Sequence, residues 1–387
     1  MVEAGGYLFL VSLLLTLAFT PACIALGRRW QVLDIPGGRK IHHEPTPLTG
    51  GWAIFSALTV VIWGHLSVAL LVRGISAVQW LPEAFRHFIE LSPSLVMKVL
   101  PVYLGALAVF VLGLVDDVRG MSVQNRLVVQ VALAGALVLA GIRPSLGFLP
   151  TWLASLVGIL WIVGIMNSFN FLDGLDGLSA GVALIATAGL LAVVARGNQP
   201  VVAAQIAILA GVQLGFLCSN WHPAKAFLGS SGSLLLGYLV AVSALLVTYI
   251  AGEPGNWLMP LLTPFFLLAI PIYDTTSVVL IRLLKRRSIA IGDQSHFHHR
   301  LIRIGFSHKQ AVVFICLISF SIAMSSVLLV RASLRESLLI VVQIAGIFSI
   351  LVIAERVAQK VRMDILDRQR LRASLREQEA QEAKSVP

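Results

Sequence analysis

The chain has 387 residues, of which 57% are hydrophobic and 12% charged, and its mean hydropathy is +0.88. Soluble domains carry about 25% charged residues, so an ordinary water-soluble fold is excluded and the bilayer is the expected solvent. The formal net charge of +10 then reads as loop charge that sets topology and attracts anionic inner-leaflet lipid, not as a nucleic-acid-binding surface.

The first apolar run, 7–26, has no basic segment before it and no small-residue cleavage site after it, so it reads as a retained span. Runs of similar character follow at 51–71, 98–115, 125–141, 149–166, 178–195, 201–218, 232–250, 258–281, 310–330 and 337–354. The segment 72–97, with Trp80, Phe85 and Phe88, is expected to form an interfacial helix at the outer surface. After Glu355 the charges become dense, and Val357, Val361, Ile365 and Leu366 keep helical spacing. This segment predicts a solvated or membrane-surface helix that frays toward the end. The fold class is therefore all-α, a polytopic membrane protein of about 11 transmembrane helices (1–354) with a charged cytoplasmic tail (355–387). An N-terminus outside and a C-terminus inside place 22 of the 29 Lys and Arg residues on the inner side, as the positive-inside rule requires. Cys23, Cys218 and Cys316 sit in or at the ends of apolar runs without metal-ligand spacing, and read as small buried hydrophobes.

Four polar clusters fall on the inner side. Asp116 and Asp117, in Gly-Leu-Val-Asp-Asp-Val-Arg-Gly, end a span. Ionisable groups at membrane depth are functional candidates. The pair could hold Mg²⁺ or supply a general base, or could be helix-end charges neutralised by Arg119 or Arg126. Next, Asn167, Asn170, Asp173 and Asp176 recur every three residues. On a helical turn they would share one stripe, and the calcium-loop alternative lacks its full spacing and distal Glu. The run from Asn220 through Lys225 to Ser233 ends in Gly229-Ser-Ser-Gly-Ser at the start of a span. Its free amides could receive a phosphate, or a serine could simply cap the helix. Finally, His296-Phe-His298-His299-Arg300 lies in the most basic loop, beside Lys285, Arg286, Arg287 and Arg303. Grip on a sugar diphosphate is favoured there over a zinc site or a bare surface cluster. Asp274, in or near a span, and the Arg39–Gly51 loop carry weaker signals.

In this order the four clusters resemble the polyprenyl-phosphate N-acetylhexosamine-1-phosphate transferases, glycosyltransferase family 4, from about Arg39 to Gln310. The His-x-His-His-Arg form is closer to the undecaprenyl-phosphate N-acetylglucosamine-1-phosphate transferase type than to phospho-MurNAc-pentapeptide transferase. The resemblance implies transfer of a sugar-1-phosphate from a UDP-N-acetylhexosamine to polyprenyl phosphate at the cytoplasmic face of the cell membrane. It implies Mg²⁺ as cofactor, with Mn²⁺ as substitute. It also implies catalytic roles for Asp116, Asp117, Asp173 and Asp176, metal ligation by Asp116, Asp117 and Asn170, and substrate contacts from Asn167, Asn220, Arg126, Lys225, His296, His298, His299 and Arg300. A homodimer is left open. One departure stands out: Ser230 occupies the place of an aspartate that is a principal Mg²⁺ ligand in the family. That leaves a second reading, a catalytically impaired homologue that binds lipid phosphate or scaffolds a glycan pathway. A transporter is disfavoured, because the polar residues gather at one face and not at the midplane.

Overall fold

The computed structural model describes residues 2–36, 44–144, 148–195, 197, 199–249, 259–284, 286 and 296–385. Arg39, Lys40, Lys285 and Arg287 of the basic loops lie outside them.

The described residues form a helical bundle. Its helices are α1 (Val2–Arg29), α2 (Gly50–Val72), α3 (Glu83–Arg119), α4 (Val123–Leu139), α5 (Thr151–Leu172), α6 (Leu178–Val194), α7 (Pro200–Asn220), α8 (Gly229–Leu246), α9 (Thr263–Leu267), α10 (Ala269–Leu284), α11 (Phe297–Arg303), α12 (His308–Leu328) and α13 (Leu334–Ser385). Eight of them are long and apolar enough to cross a membrane. The pair leading through α9 into α10, bent by 74°, makes a ninth candidate, and α4 and α6 are shorter apolar helices. Each apolar run of the sequence thus coincides with one helix or with this bent pair. A two-residue antiparallel ladder, β1 (Leu33–Asp34) on β2 (Thr46–Pro47), ties the end of α1 to the start of α2.

One expectation changes. The segment 72–97 is not a separate interfacial helix: a short 3₁₀ turn at Ser76–Trp80 leads into α3, which runs unbroken from Glu83 through the span. Pro93 and Pro101 are accommodated inside α3, since neighbouring helices can re-satisfy freed backbone groups in a membrane bundle. The charged tail is helical, as expected, and α13 carries it on without a break from the last apolar run to Ser385.

Helix α8 is the centre, with nearly every residue buried, and α2, α3, α5 and α6 surround it. Small residues let backbones meet there. A Cβ on Gly51 or Gly113 would strike the backbone at Ser231, and Gly232 faces Gly51. On the flank, Gly211 and Gly215 of α7 approach Phe9, Leu13 and Thr16 of α1, the small-xxx-small arrangement that serves where no hydrophobic drive separates helix from lipid. The outward faces keep bare apolar side chains such as Leu71, Leu139, Leu339 and Ile350, which suits acyl chains and would be untenable in water.

Candidate active site

Five connections meet at one end of the bundle: the ladder between α1 and α2, and the junctions α3–α4, α5–α6, α7–α8 and α10–α11–α12. Every site residue expected from the sequence lies there, and a chain of contacts joins them.

Helix α3 delivers the two aspartates to different partners. Asp116 accepts from the Met121 amide at 2.8 Å and pairs with Arg126 at 2.9 Å. The ion-pair alternative weighed for this residue is the one observed, and both Asp116 oxygens are engaged inside the protein. Asp117 turns the other way. Its oxygens accept from the amides of Ser230 (2.7 Å) and Ser231 (3.0 Å) at the first turn of α8. The approach is close because Gly229, with φ +67°, has no Cβ to meet that carboxylate. The helix N-terminus foreseen as a phosphate seat is therefore already capped by a carboxylate from the neighbouring helix.

The second cluster is not one stripe. Helix α5 ends at Leu172, and a turn through Gly174 and Gly177 (φ +77°) starts α6, so the four side chains fan out. Asn167 donates to Gln130 of α4 at 2.7 Å and to the Val163 carbonyl. Asn170 donates to Ser233 of α8 at 2.9 Å, leaving its own oxygen as the acceptor end. Asp176 accepts from His222 Nδ1 (2.8 Å) and from the Ala224 amide (3.1 Å). Asp173 stays in the middle. Its burial, and then the negative charges of Asp117, Asp176 and Asp34, push its pKa up to about 8.

Asn220 is buried. It accepts from the Gly177 amide at 3.1 Å and donates to the Ala226 carbonyl at 2.9 Å. Instead of facing a nucleotide, it staples the α5–α6 turn to the α7–α8 loop. Lys225 is exposed at the rim.

The histidine motif opens α11. Fully buried Asp274 accepts from His296 Nδ1 at 2.8 Å and from the Phe297 amide at 2.5 Å. This fixes the ring with Nδ1 as donor. His298 is buried against Gly174, where a Cβ would collide with the imidazole, so the fourth cluster touches the second. Burial, then the adjacent His299 ring at 4.2 Å, hold the His298 pKa down to about 3. The ring is neutral, and neither nitrogen finds a hydrogen-bond partner among the described residues. Arg300 departs from the sugar-binding role expected of it. It is buried behind the motif, over the Tyr273 and Phe297 rings at 5.6 and 5.7 Å, and lies 3.5 Å from Glu355 of α13.

Several participants carried no clear mark in the sequence. Asp34 comes from the ladder, and only folding brings it near Asp173. His308, at the start of α12, stacks on His222 at 5.3 Å. Glu355 did carry a signal, as the first charge after an 18-residue apolar run.

Could these residues hold a divalent cation? The described residues contain no ready-made group of three His, Cys, Asp or Glu ligands. Asp116 accepts one bond on each oxygen, from Met121 and Arg126, as Asp117 does from the Ser230 and Ser231 amides, and Ser230 offers only a hydroxyl. Even so, Asp173 is a buried carboxyl set among the negative charges of Asp117, Asp176 and Asp34, the Asn170 oxygen remains as an acceptor, and each oxygen of Asp116 and Asp117 keeps a second lone pair. Mg²⁺ commonly takes one or two carboxylates and fills its shell with water and substrate phosphate. The donor set fits such an ion, with Asp173 added to the expected Asp116, Asp117 and Asn170.

The class is then set: a multi-pass helical membrane protein with an acidic, imidazole-lined site at one end of the bundle. The glycosyl transferase family 4 profile matches residues 99–248. A probable undecaprenyl-phosphate N-acetylglucosaminyl 1-phosphate transferase of Bacillus subtilis strain 168 is 32% identical over 341 residues, 86% of this chain and 87% of that protein. A decaprenyl-phosphate N-acetylglucosaminephosphotransferase of Mycolicibacterium smegmatis is 30% identical, covering 76% of this chain and 74% of its own. A phospho-N-acetylmuramoyl-pentapeptide-transferase of a Synechococcus strain is 34% identical, but over 56% of this chain and 65% of its own. The chain belongs to glycosyl transferase family 4, nearer the polyprenyl-phosphate N-acetylglucosamine-1-phosphate transferases than the pentapeptide transferases.

Proposed function

We propose that this protein transfers N-acetylhexosamine-1-phosphate from a UDP-sugar to a polyprenyl phosphate, initiating a cell-envelope glycan. The relatives' names support the reaction class and favour N-acetylglucosamine as the sugar. The observation that carries the reading is His298, buried, neutral and without a hydrogen-bond partner among the described residues, packed against Gly174, the residue that follows buried Asp173. A fold seldom leaves such polar groups unpaired without a ligand to satisfy them.

In this reading a phosphate oxygen of the lipid attacks the β-phosphorus of the UDP-sugar. The bond from that phosphorus to the bridging oxygen breaks, and the oxygen departs on UMP. Positioning and charge stabilisation do most of the work in such transfers. Arg126, held by Asp116, sits beside the entry for the lipid phosphate. A shallow apolar groove along α3 and α4, lined by Leu104, Ala108, Val111, Val115, Met121 and Val129, offers the isoprenoid chain a path to that point. His298 and His299 face the sugar, oriented by the Asp274–His296 contact. Mg²⁺, or Mn²⁺ in its place, bound by Asp116, Asp117, Asp173 and the Asn170 oxygen would offset the charge of the diphosphate. The excess of basic residues at the site end supports its placement at the cytoplasmic face of the cell membrane, beside anionic lipid, with the N-terminus outside.

The test is product formation in membranes holding the protein, supplied with labelled UDP-N-acetylglucosamine and undecaprenyl phosphate. Labelled lipid that depends on Mg²⁺ is expected; background label across several UDP-sugars would refute the reading. Ser230 favours one rival, an impaired homologue. Turnover gained by Ser230→Asp from an inactive parent would establish that rival, and an active parent removes it.

A further inference from the structure

We propose that Glu355 is a positioning residue for the histidine motif, so that the last membrane helix is a working part of the sugar site. The inference rests on the transferase reading above. Helix α11 has only seven residues, too few to hold its own orientation, so its side-chain directions must be imposed from outside.

Two pins do this. At the N-terminal end, Asp274 takes His296 Nδ1 and the Phe297 amide. One turn on, Arg300, whose amide bonds the His296 carbonyl, is pinned at the back. Its guanidinium lies over Tyr273 and Phe297, its Nη2 reaches the Tyr273 hydroxyl at 3.5 Å, and its Nε is 3.5 Å from Glu355 Oε1. Residues two apart on a helix point about 200° from each other. A clamp on Arg300 therefore turns His298 to the opposite face, against Gly174.

Glu355 is buried although it ends a long apolar run. A buried carboxylate persists when paired, and the partner the structure gives it is Arg300, in a 3.5 Å charge contact without a hydrogen bond between Nε and Oε1. Phe348, two turns earlier on α13, packs on Tyr273 at 5.2 Å and keeps the two helices in register.

The experiment uses the full chain in lipid nanodiscs. Glu355→Gln keeps size and removes charge; Glu355→Asp keeps charge and shortens reach; Arg356→Gln, on the neighbouring exposed position, is the control. KM for UDP-N-acetylglucosamine, KM for undecaprenyl phosphate, kcat and melting temperature are read for each. Small misplacements of site groups cost up to about 100-fold. We expect Glu355→Gln to raise the nucleotide-sugar KM by about tenfold or more, Glu355→Asp to raise it less, and the lipid KM and the control to stay put. Unchanged nucleotide-sugar KM in Glu355→Gln, or a loss of kcat and melting temperature together without that selective KM shift, overturns the proposal. Should Glu355→Gln fail to fold, Glu355→Asp decides by the same KM comparison. A wild-type chain that forms no product overturns both this inference and the transferase reading; an active wild type with unaltered variants overturns this inference alone.

Discussion

Replacing Asp117 by Asn tests the carboxylate that caps α8. Both oxygens accept backbone amides there, at 2.7 and 3.0 Å, from Ser230 and Ser231. Hydrogen bonds to a charged group contribute about 1.5–3 kcal/mol each, and a negative charge at a helix N-terminus up to about 2 kcal/mol when partly buried. Asparagine keeps one acceptor and turns an NH₂ toward the second amide, donor against donor. One bond and the charge term are lost together, so the bundle should lose about 2–4 kcal/mol, allowing for the easier desolvation of a neutral amide. The central position of α8, packed by α2, α3, α5 and α6, spreads this loss to the whole bundle. The assay is thermal unfolding of purified protein in one detergent, beside turnover in nanodiscs. A clear fall in melting temperature with loss of turnover is expected. A variant that melts with the wild type would refute the capping role, and inactivity at full stability would make Asp117 a purely chemical residue.

Asp173 should behave in the opposite way. Its folded-state pKa of about 8 lies above the ordinary 3.8, so the native state binds the extra proton between those values. Metal-free stability should therefore fall as pH rises from about 4 to about 8, by at most about 1.4 kcal/mol per unit, and level off above. Asp173→Asn should flatten this slope and abolish the rise in melting temperature that Mg²⁺ gives the wild type near pH 8; melts across pH 4–9, with chelator or Mg²⁺, check both. Asn220→Ala leaves the Gly177 amide and Ala226 carbonyl unpaired, at a cost of about 2–4 kcal/mol, so melting temperature and activity should fall in parallel. Gly174→Ala places a methyl group against the His298 ring; turnover should drop by about 100-fold or more with a smaller loss of stability, as kcat/KM and a melt would show.

The span pattern was legible in the sequence because apolar length is a local property: each run from 7–26 to 337–354 became a helix or the bent α9–α10 pair. The error came where a helix extends beyond its apolar stretch, as α3 does by starting at Glu83. Hydropathy marks the membrane, and hydrogen bonds decide where a helix ends. The Asp116–Arg126 pair could be foreseen, since one turn and a short loop bring them together. Asp117 at the α8 amides could not, because it depends on close packing of α2, α3 and α8 through Gly51, Gly113 and Gly232. The three-residue spacing from Asn167 to Asp176 suggested one face, but the turn at Gly174 and Gly177 splits it among α4, α8 and the α7–α8 loop. Arg300 looked like one more cation in a basic loop, while its partner lay 55 positions later, in what read as the tail.

The most direct measurement is the transfer itself, in nanodiscs of wild type and Gly174→Ala, with labelled UDP-N-acetylglucosamine, undecaprenyl phosphate and controlled Mg²⁺. Labelled polyprenyl lipid and UMP should form one for one in the wild type, cease on chelation, and nearly vanish when the methyl group displaces His298. Wild-type turnover undiminished in Gly174→Ala would contradict a site built across that glycine.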